Sequence, residues 1–151
     1  CYQTLIIGWY SVVMKATEHN NSAKLNVVIM PTLYNDTIDL LIKARHYFEN
    51  IWPDYDAFLT NREQLLFSSE MSRITMRLTS SMSWLSVQHA IISGELSADD
   101  ACEFYPLEGE EICLQSDIIA ESMMPHFMRS LLEESLHLYE RIHRLETLKY
   151  H

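Results

Sequence analysis

Residues 76–96 read MRLTSSMSWLSVQHAIISGEL, where small hydroxyl side chains are interspersed with large apolar ones. The apolar residues recur every three or four positions, which is the periodicity of an α-helix. Gly94 indicates the end of this helix, because glycine adopts the left-handed conformation of a C-terminal cap without strain. Upstream, the stretch from Thr60 to Glu63 has the pattern of a capping box. The sequence therefore predicts one long helix from about residue 60 to Ser93.

Two neighbouring faces of this predicted helix differ in the size of their side chains. Large apolar residues form a core stripe at Phe67, Met71, Ile74, Leu78, Met82, Leu85 and Ile92. Beside it lies a row of small residues, which we call the small-residue seam: Ser72, Thr75, Thr79, Ser83, Ser86, Ala90 and Ser93. Small side chains let a second helix approach closely, and their hydroxyls can bond to the carbonyl of the preceding turn. We predict that the seam, and above all Thr79, Ser83, Ser86 and Ala90, packs against another helix or a second copy of the chain. The alternative is that its serines simply face water.

A narrower strip of the same helix, which we call the polar strip, carries Glu70, Arg73, Arg77, Ser81 and Gln88, with Trp84 adjacent. Arginine and tryptophan are enriched where proteins bind partners. We predict a partner-binding surface formed by Arg73, Arg77, Trp84 and Gln88. The alternative is that the arginines stack or form salt bridges within the protein. Replacing Arg77 and Trp84 by alanine separates these interpretations: weaker partner capture supports a surface, and loss of helicity supports a structural role.

Two further helices are predicted on either side of the long one. Apolar spacing favours a first helix from about Thr32 to Asn50, which Pro53 should end because proline disfavours a helical conformation at the residue before it. A third helix follows Pro125, with an amphipathic seam at Phe127, Leu131, Ser135, Leu138, Ile142 and Leu145. Ser97 can cap a short helix, and the rest of the connection to Gln115 is typical of a loop.

The composition agrees with a helical protein. The 151 residues include only 3 glycines and 4 prolines, which leaves little turn chemistry for a many-stranded sheet. We predict an all-α fold, a homodimeric three-helix bundle with a long central helix, in which residues 30–151 form a single domain. Residues 1–29 are predicted as an N-terminal extension of uncertain order. Its apolar run at residues 5–14 is about half of the roughly 20 residues needed to span a bilayer, so no membrane association is expected.

The charge of the chain restricts its possible partners, and its cysteines restrict disulfides and zinc sites. The net charge of −10 argues against DNA or RNA as a ligand, because phosphate binding needs clustered lysine and arginine. No lysine or arginine occurs between Arg77 and Arg129, whereas nine acidic residues do. The acidic connection at residues 95–121 is either a solvated linker or a docking surface for a basic partner. Three cysteines without C-x-x-C spacing encode no disulfide framework or zinc site and fit a reducing cytoplasm.

Motifs for catalysis or metal binding are weak. Glu134 with His137, and Glu140 with His143, match the E-x-x-H pattern of di-iron bundles. A six-residue offset rotates the two pairs by about 240° on one helix, so they cannot face one metal pair. We predict no catalytic, cofactor-binding or metal-binding residues. The alternative is a small helical enzyme that binds an anionic metabolite through Arg45, Arg73 and Arg77.

Four runs of the sequence resemble one alphaproteobacterial protein family. They are residues 69–79 (SEMSRITMRLT), 83–85 (SWL), 94–95 (GE) and 131–145 (LLEESLHLYERIHRL). In combination, over about residues 33–148, they resemble the family named after RcdA, the regulator of CtrA degradation. The family-typical positions matched here, whose individual roles are unassigned, are Arg77, Leu78, Thr79, Trp84, Leu85, Tyr139, Arg141 and Arg144.

The resemblance implies a function as well as a fold. It implies a homodimeric three-helix bundle and a non-enzymatic adaptor that helps deliver cell-cycle regulators to the ClpXP protease. Its expected partners are a ClpX-type unfoldase or a response-regulator protein, and protein cargo, in the cytoplasm. The alternative within the family is a dimeric member without a role in proteolysis.

Overall fold

The described part of the chain consists of helices and contains no strand. The computed structural model describes the backbone of residues 21–150 and the side chains of residues 29–148. The helices are α1 (Asn21–His46), a π-helix (Tyr47–Ile51), α2 (Trp52–Asp56), α3 (Asn61–Ser93), α4 (Ala98–Phe104), α5 (Glu110–Cys113), α6 (Ile118–Met123) and α7 (His126–Tyr150). The all-α prediction is confirmed, and the long predicted helix is α3.

Helix α1 begins earlier than the sequence predicted. It starts at Asn21 rather than near Thr32, and Pro31 lies inside it. A proline within a helix removes one hydrogen bond and crowds the preceding turn. Burial of the neighbouring Met30 and Leu33, both 0% exposed, offsets this cost. The predicted domain boundary at residues 29 and 30 stays a prediction, and residues 1–20 lie outside the described residues.

The end of the first helix also differs from the prediction. The α-helical pattern stops at His46, and a π-helix, in which the Trp52 amide donates to Tyr47 O five residues back, leads into α2. Pro53 lies in the first turn of α2. Proline is tolerated there because a first-turn N–H has no partner within the helix. The expectation that Pro53 terminates helical backbone near Asn50 is therefore wrong.

Both predicted ends of α3 are confirmed. The Thr60 amide donates to Glu63 Oε2 at 2.8 Å, and the Glu63 amide donates to Thr60 Oγ1 at 3.3 Å, so the capping box is formed. At the other end Gly94 has a φ of +81°. Ser97 caps α4 as predicted, because its Oγ accepts from the Asp100 amide at 3.1 Å. These caps depend only on neighbouring residues, which is why the sequence predicts them well.

The chain divides into two compact units. Among the described residues, the first unit holds 21–36 and 82–106, and the second holds 37–81 and 107–150. The core of the first unit includes Met30, Leu33, Trp84, Leu85 and Ala101.

The second unit has an aromatic cluster at one place in its core. The rings of Tyr47 and Phe127 stack with centroids 4.6 Å apart, and Trp52 meets Phe67 edge-on at 5.9 Å. The predicted seam of α7 is confirmed at its centre, where the buried residues are Leu131, Ser135, Leu138 and Ile142. The π-helix and α2 are thus fixed to this unit by aromatic packing.

Two glycines with the same backbone conformation offer a matched test of packing. Gly94 has φ +81° with open space around it, whereas Gly109 has φ +84° and a Cβ there would lie 3.1 Å from Cys113 Sγ and 3.2 Å from Met76 Sδ. We expect Gly94→Ala to lower the free energy of unfolding by about 1 kcal/mol, from backbone strain alone. Gly109→Ala should cost about 2 kcal/mol, because the added Cβ also crowds the Cys113 and Met76 side chains, which must move slightly. Urea unfolding followed by circular dichroism measures both losses, and equal losses would contradict close packing at Gly109.

Candidate docking surfaces

The buried side chain of Arg77 links two segments of the second unit through hydrogen bonds. It is 1% exposed. Its Nε donates to Cys113 O at 2.8 Å, Nη2 to Gln115 O at 2.7 Å, and Nη1 to Leu132 O at 3.0 Å and to Ser135 Oγ at 3.3 Å. One side chain of α3 therefore holds both the segment after α5 and the middle of α7.

The chemistry of arginine suits this position. Its planar guanidinium presents five donors in a rigid fork, which lets one side chain reach three main-chain carbonyls at separate positions. Burial, and secondly the charge of Arg73, lower the pKa of Arg77 from its ordinary value. The group still carries its proton, because arginine is not deprotonated in proteins. A buried positive charge is thus stabilised by carbonyl dipoles and a hydroxyl.

A second ionic contact lies one turn away on α3. Arg73 Nη1 donates to Glu70 Oε1 at 2.6 Å and to Oε2 at 2.7 Å, and the two side chains are 15% and 3% exposed. Burial is the largest single influence on Glu70 and raises its pKa from the ordinary value; the charge and hydrogen bonds of Arg73 lower it, and the charges of Asp117 and Glu121 raise it further. Desolvation of a buried pair offsets much of its attraction, so we expect this pair to fix side-chain positions more than to add stability.

The polar strip is not the exposed surface that the sequence predicted. Arg77, Trp84 and Gln88 are 1%, 2% and 1% exposed, and Arg73 is largely buried against Glu70. Trp84 and Gln88 belong to the first unit, Arg73 and Arg77 to the second. The prediction of an exposed surface is wrong. Arg73 forms a salt bridge as the alternative stated, whereas Arg77 is held mainly by main-chain carbonyls, which neither interpretation predicted. One signal could have shown this: Arg77 stands between core positions Ile74 and Leu78, on a helix with few directions open to water.

An open groove beside α3 in the second unit is a candidate docking surface. Its volume is about 580 Å³. It is lined by Phe48, Trp52, Asp56, Ser68, Met71, Ser72, Thr75, Met76 and Thr79. Aromatic rings from the π-helix and α2 face methionines and small hydroxyl residues of α3. Methionine side chains adapt their shape readily, which suits a surface that binds another protein.

Several hydroxyls of the small-residue seam donate to carbonyls of their own helix, as predicted. Thr75 Oγ1 donates to Met71 O at 3.0 Å, Thr79 Oγ1 to Thr75 O at 2.8 Å, and Ser86 Oγ to Met82 O at 2.9 Å. Ser72, Thr75, Thr79, Ser83 and Ser86 are exposed, and Ala90 is half-buried. Hydroxyls satisfied by their own helix can be covered by apolar surface at little cost. A packing role for Ser83, Ser86 and Ala90, in the first unit, stays a prediction.

Most of the family-typical positions are core residues. Leu78, Leu85 and Tyr139 are buried, whereas Arg141 and Arg144 are exposed. The Tyr139 hydroxyl donates to Glu108 O at 2.8 Å, and burial, followed by the nearby Cys113, raises the pKa of Tyr139 well above its ordinary value. Tyr139 thus fixes the segment before α5 to α7, next to the contacts of Arg77.

The described residues show no arrangement for metal binding. No group of three or more histidine, cysteine or acidic residues lies close enough to hold a metal ion in that part of the chain. His143 Nε2 lies 3.2 Å from Glu110 Oε1, and Glu134 pairs with Lys43 at 3.6 Å. One residue of each E-x-x-H motif, Glu134 and His143, therefore contacts a charged side chain of another helix. Within residues 21–150, no helix is long and apolar enough to cross a membrane.

Comparison with known proteins places the chain in a family. Residues 21–151 match the family described as "Protein of unknown function (DUF1465)". The chain belongs to this family. It is also similar to the crystal structure of RcdA from Caulobacter crescentus CB15, with 24% identity, a TM-score of 0.64, and coverage of 81% of this chain and 91% of that chain. No curated protein matches the sequence. The predicted RcdA-like family is confirmed, and the structural similarity shows the fold.

Proposed function

We propose that this protein is a non-enzymatic adaptor or scaffold of the RcdA type, which works in the cytoplasm and helps deliver cell-cycle regulators to the ClpXP protease. The fold shared with RcdA over 91% of that chain is the observation that carries this proposal. The open groove beside α3 supports it, because its methionine and aromatic lining suits protein contacts. In this account the protein acts by binding alone.

The enzyme alternative is weakened by the contacts of its three arginines. Arg45 Nε donates to Glu49 at 3.1 Å, Arg73 is paired with Glu70, and Arg77 is engaged by main-chain carbonyls. An anionic metabolite would have to displace these partners to be bound. A thermal-shift screen tests the alternative: anionic metabolites that raise the melting temperature would favour an enzyme.

We also propose that two copies of the chain associate through the groove and the adjoining part of the seam. Ser72, Thr75 and Thr79 are exposed there, and their small size lets a second helix approach closely. The half-buried side chains of Phe48, Met71 and Met76 supply apolar area of the kind that a stable interface needs. A dimer of this kind gives an adaptor two identical binding faces.

A charged side chain in the groove tests the dimer. We expect Thr75→Arg to raise the dimer dissociation constant about 100-fold, because a large cation would be buried at the interface without a partner. Sedimentation equilibrium measures this constant. Ser69→Arg is the matched control, since Ser69 is exposed on the same helix and does not line the groove. Equal association of both variants and the wild type would show that the groove is not the dimer interface.

Affinity capture with the purified protein as bait tests the adaptor role. We expect a ClpX-type unfoldase or a response-regulator protein to be recovered from the source cell's lysate and identified by mass spectrometry. Recovery of neither, with a bait that is folded and dimeric, would contradict protease delivery and favour a dimeric family member without a role in proteolysis.

A further inference from the structure

Helix α6 exposes its large apolar side chains and buries its alanine. Ile118 and Ile119 are 77% and 74% exposed, and Met123 is 46% exposed. On the opposite side, Ala120 and Met124 are 1% and 3% exposed. Single exposed apolar residues are ordinary, but Ile118, Ile119 and Met123 expose three large apolar side chains within one short helix. We call Ile118, Ile119 and Met123 the α6 face.

The N-cap of α6 fixes the position of the α6 face. Asp117 Oδ1 accepts from the amides of Ile119 at 3.1 Å and Ala120 at 3.0 Å. This N-cap fixes the first turn, and the burial of Ala120 and Met124 anchors the helix to the second unit. The isoleucines are therefore presented on a preorganised turn, which lowers the entropy cost of binding a partner.

The surroundings of the α6 face are acidic. Asp117 precedes it, Glu121 lies one turn from Ile118, and both carboxylates raise the pKa of Glu70. The chain contains no lysine or arginine from residue 78 to residue 128. Two arginines lie near these carboxylates, but both are engaged within the protein. Arg73 is paired with Glu70, and Arg77 donates to main-chain carbonyls. Their positive charges are thus largely compensated by groups within the protein.

We propose that the α6 face binds a basic amphipathic segment of another protein. Aliphatic side chains of that segment would pack on Ile118 and Ile119, and its lysines or arginines would face Asp117 and Glu121. A second copy of this chain is disfavoured there, because it would bring the same acidic residues against themselves. The acidic surroundings likewise disfavour nucleic acid and anionic membranes. The proposal needs no role in proteolysis and goes beyond the adaptor function.

A peptide selection tests this proposal. A random peptide display library would be selected on the wild-type protein, and the enriched peptides would be compared for binding to Ile118→Ser/Ile119→Ser. We expect enriched sequences that combine aliphatic residues with lysine or arginine, and a dissociation constant at least 30-fold higher for the double variant. Leu65→Ser, which removes a 72% exposed leucine of α3, is the matched control and should bind as the wild type does.

Several outcomes would overturn the proposal. Enriched peptides that are acidic, or that bind both proteins equally, would show that the face does not select a basic partner. A lower dimer fraction for Ile118→Ser/Ile119→Ser in sedimentation would assign the face to a second copy, and loss of vesicle binding at phosphatidylglycerol membranes would assign it to lipid.

Because the isoleucines are exposed, the double variant should keep the wild-type melting temperature. A second variant, Glu121→Lys, should weaken the same peptides through charge alone.

Discussion

Replacing Arg77 by alanine is expected to lower the free energy of unfolding by at least about 3 kcal/mol. The change removes a buried side chain and leaves Cys113 O, Gln115 O and Leu132 O without the charged donor that they share. Hydrogen bonds to charged groups contribute about 1.5–3 kcal/mol each and do not add fully. The melting temperature should fall on the order of 10 °C, measured by circular dichroism at 222 nm.

Two further variants make this test specific. Arg62→Ala, an exposed arginine of the same helix, should change the melting temperature by no more than about 2 °C. Arg77→Lys keeps the charge but not the planar fork, so it should recover less than half of the lost stability. A melting temperature of Arg77→Ala close to that of the wild type would contradict the structural role of this arginine.

Replacing Trp84 by alanine is expected to have a comparable effect, about 3–5 kcal/mol. Trp84 is 2% exposed in the core of the first unit, and its truncation leaves a large cavity. Chemical denaturation with urea, followed by the helical signal, measures the loss. Phe58→Ala is the control, because Phe58 is 90% exposed and its removal should cost less than about 0.5 kcal/mol.

The double variant of Arg77 and Trp84 separates two interpretations of the polar strip. If the strip were exposed, as the sequence predicted, the Arg77→Ala/Trp84→Ala protein would stay folded and bind its partner more weakly. From the structure, both side chains are buried, and we expect the double variant to lose helicity. A folded double variant with weaker capture would restore the surface interpretation.

The parts of the fold that depend on neighbouring residues could be predicted from the sequence. The capping box at Thr60 and the left-handed Gly94 are local features, and both are present. The back-bonded hydroxyls of α3 follow from helix geometry alone. The start of α1 at Asn21 could not be predicted in the same way, because a helix that continues through Pro31 depends on tertiary packing.

The hydrogen-bond partners of Arg77 could not be predicted from the sequence, for a different reason. Its acceptors are mainly main-chain carbonyls, and they lie 36 to 58 positions away along the chain. Every residue type carries such a carbonyl, so no side-chain pattern marks the partner. The groove beside α3 depends similarly on where the π-helix places Phe48. The residues of the seam were predictable, but the shape of the surface they line was not.

A reconstituted degradation assay tests the central claim most directly. Purified ClpXP and a cell-cycle regulator from the source cell would be incubated with and without this protein, and the regulator would be followed over time on gels. We predict faster loss of the regulator with the wild type and with Ser69→Arg, and no acceleration with Thr75→Arg. The same rate of loss with and without the wild-type protein would contradict the account.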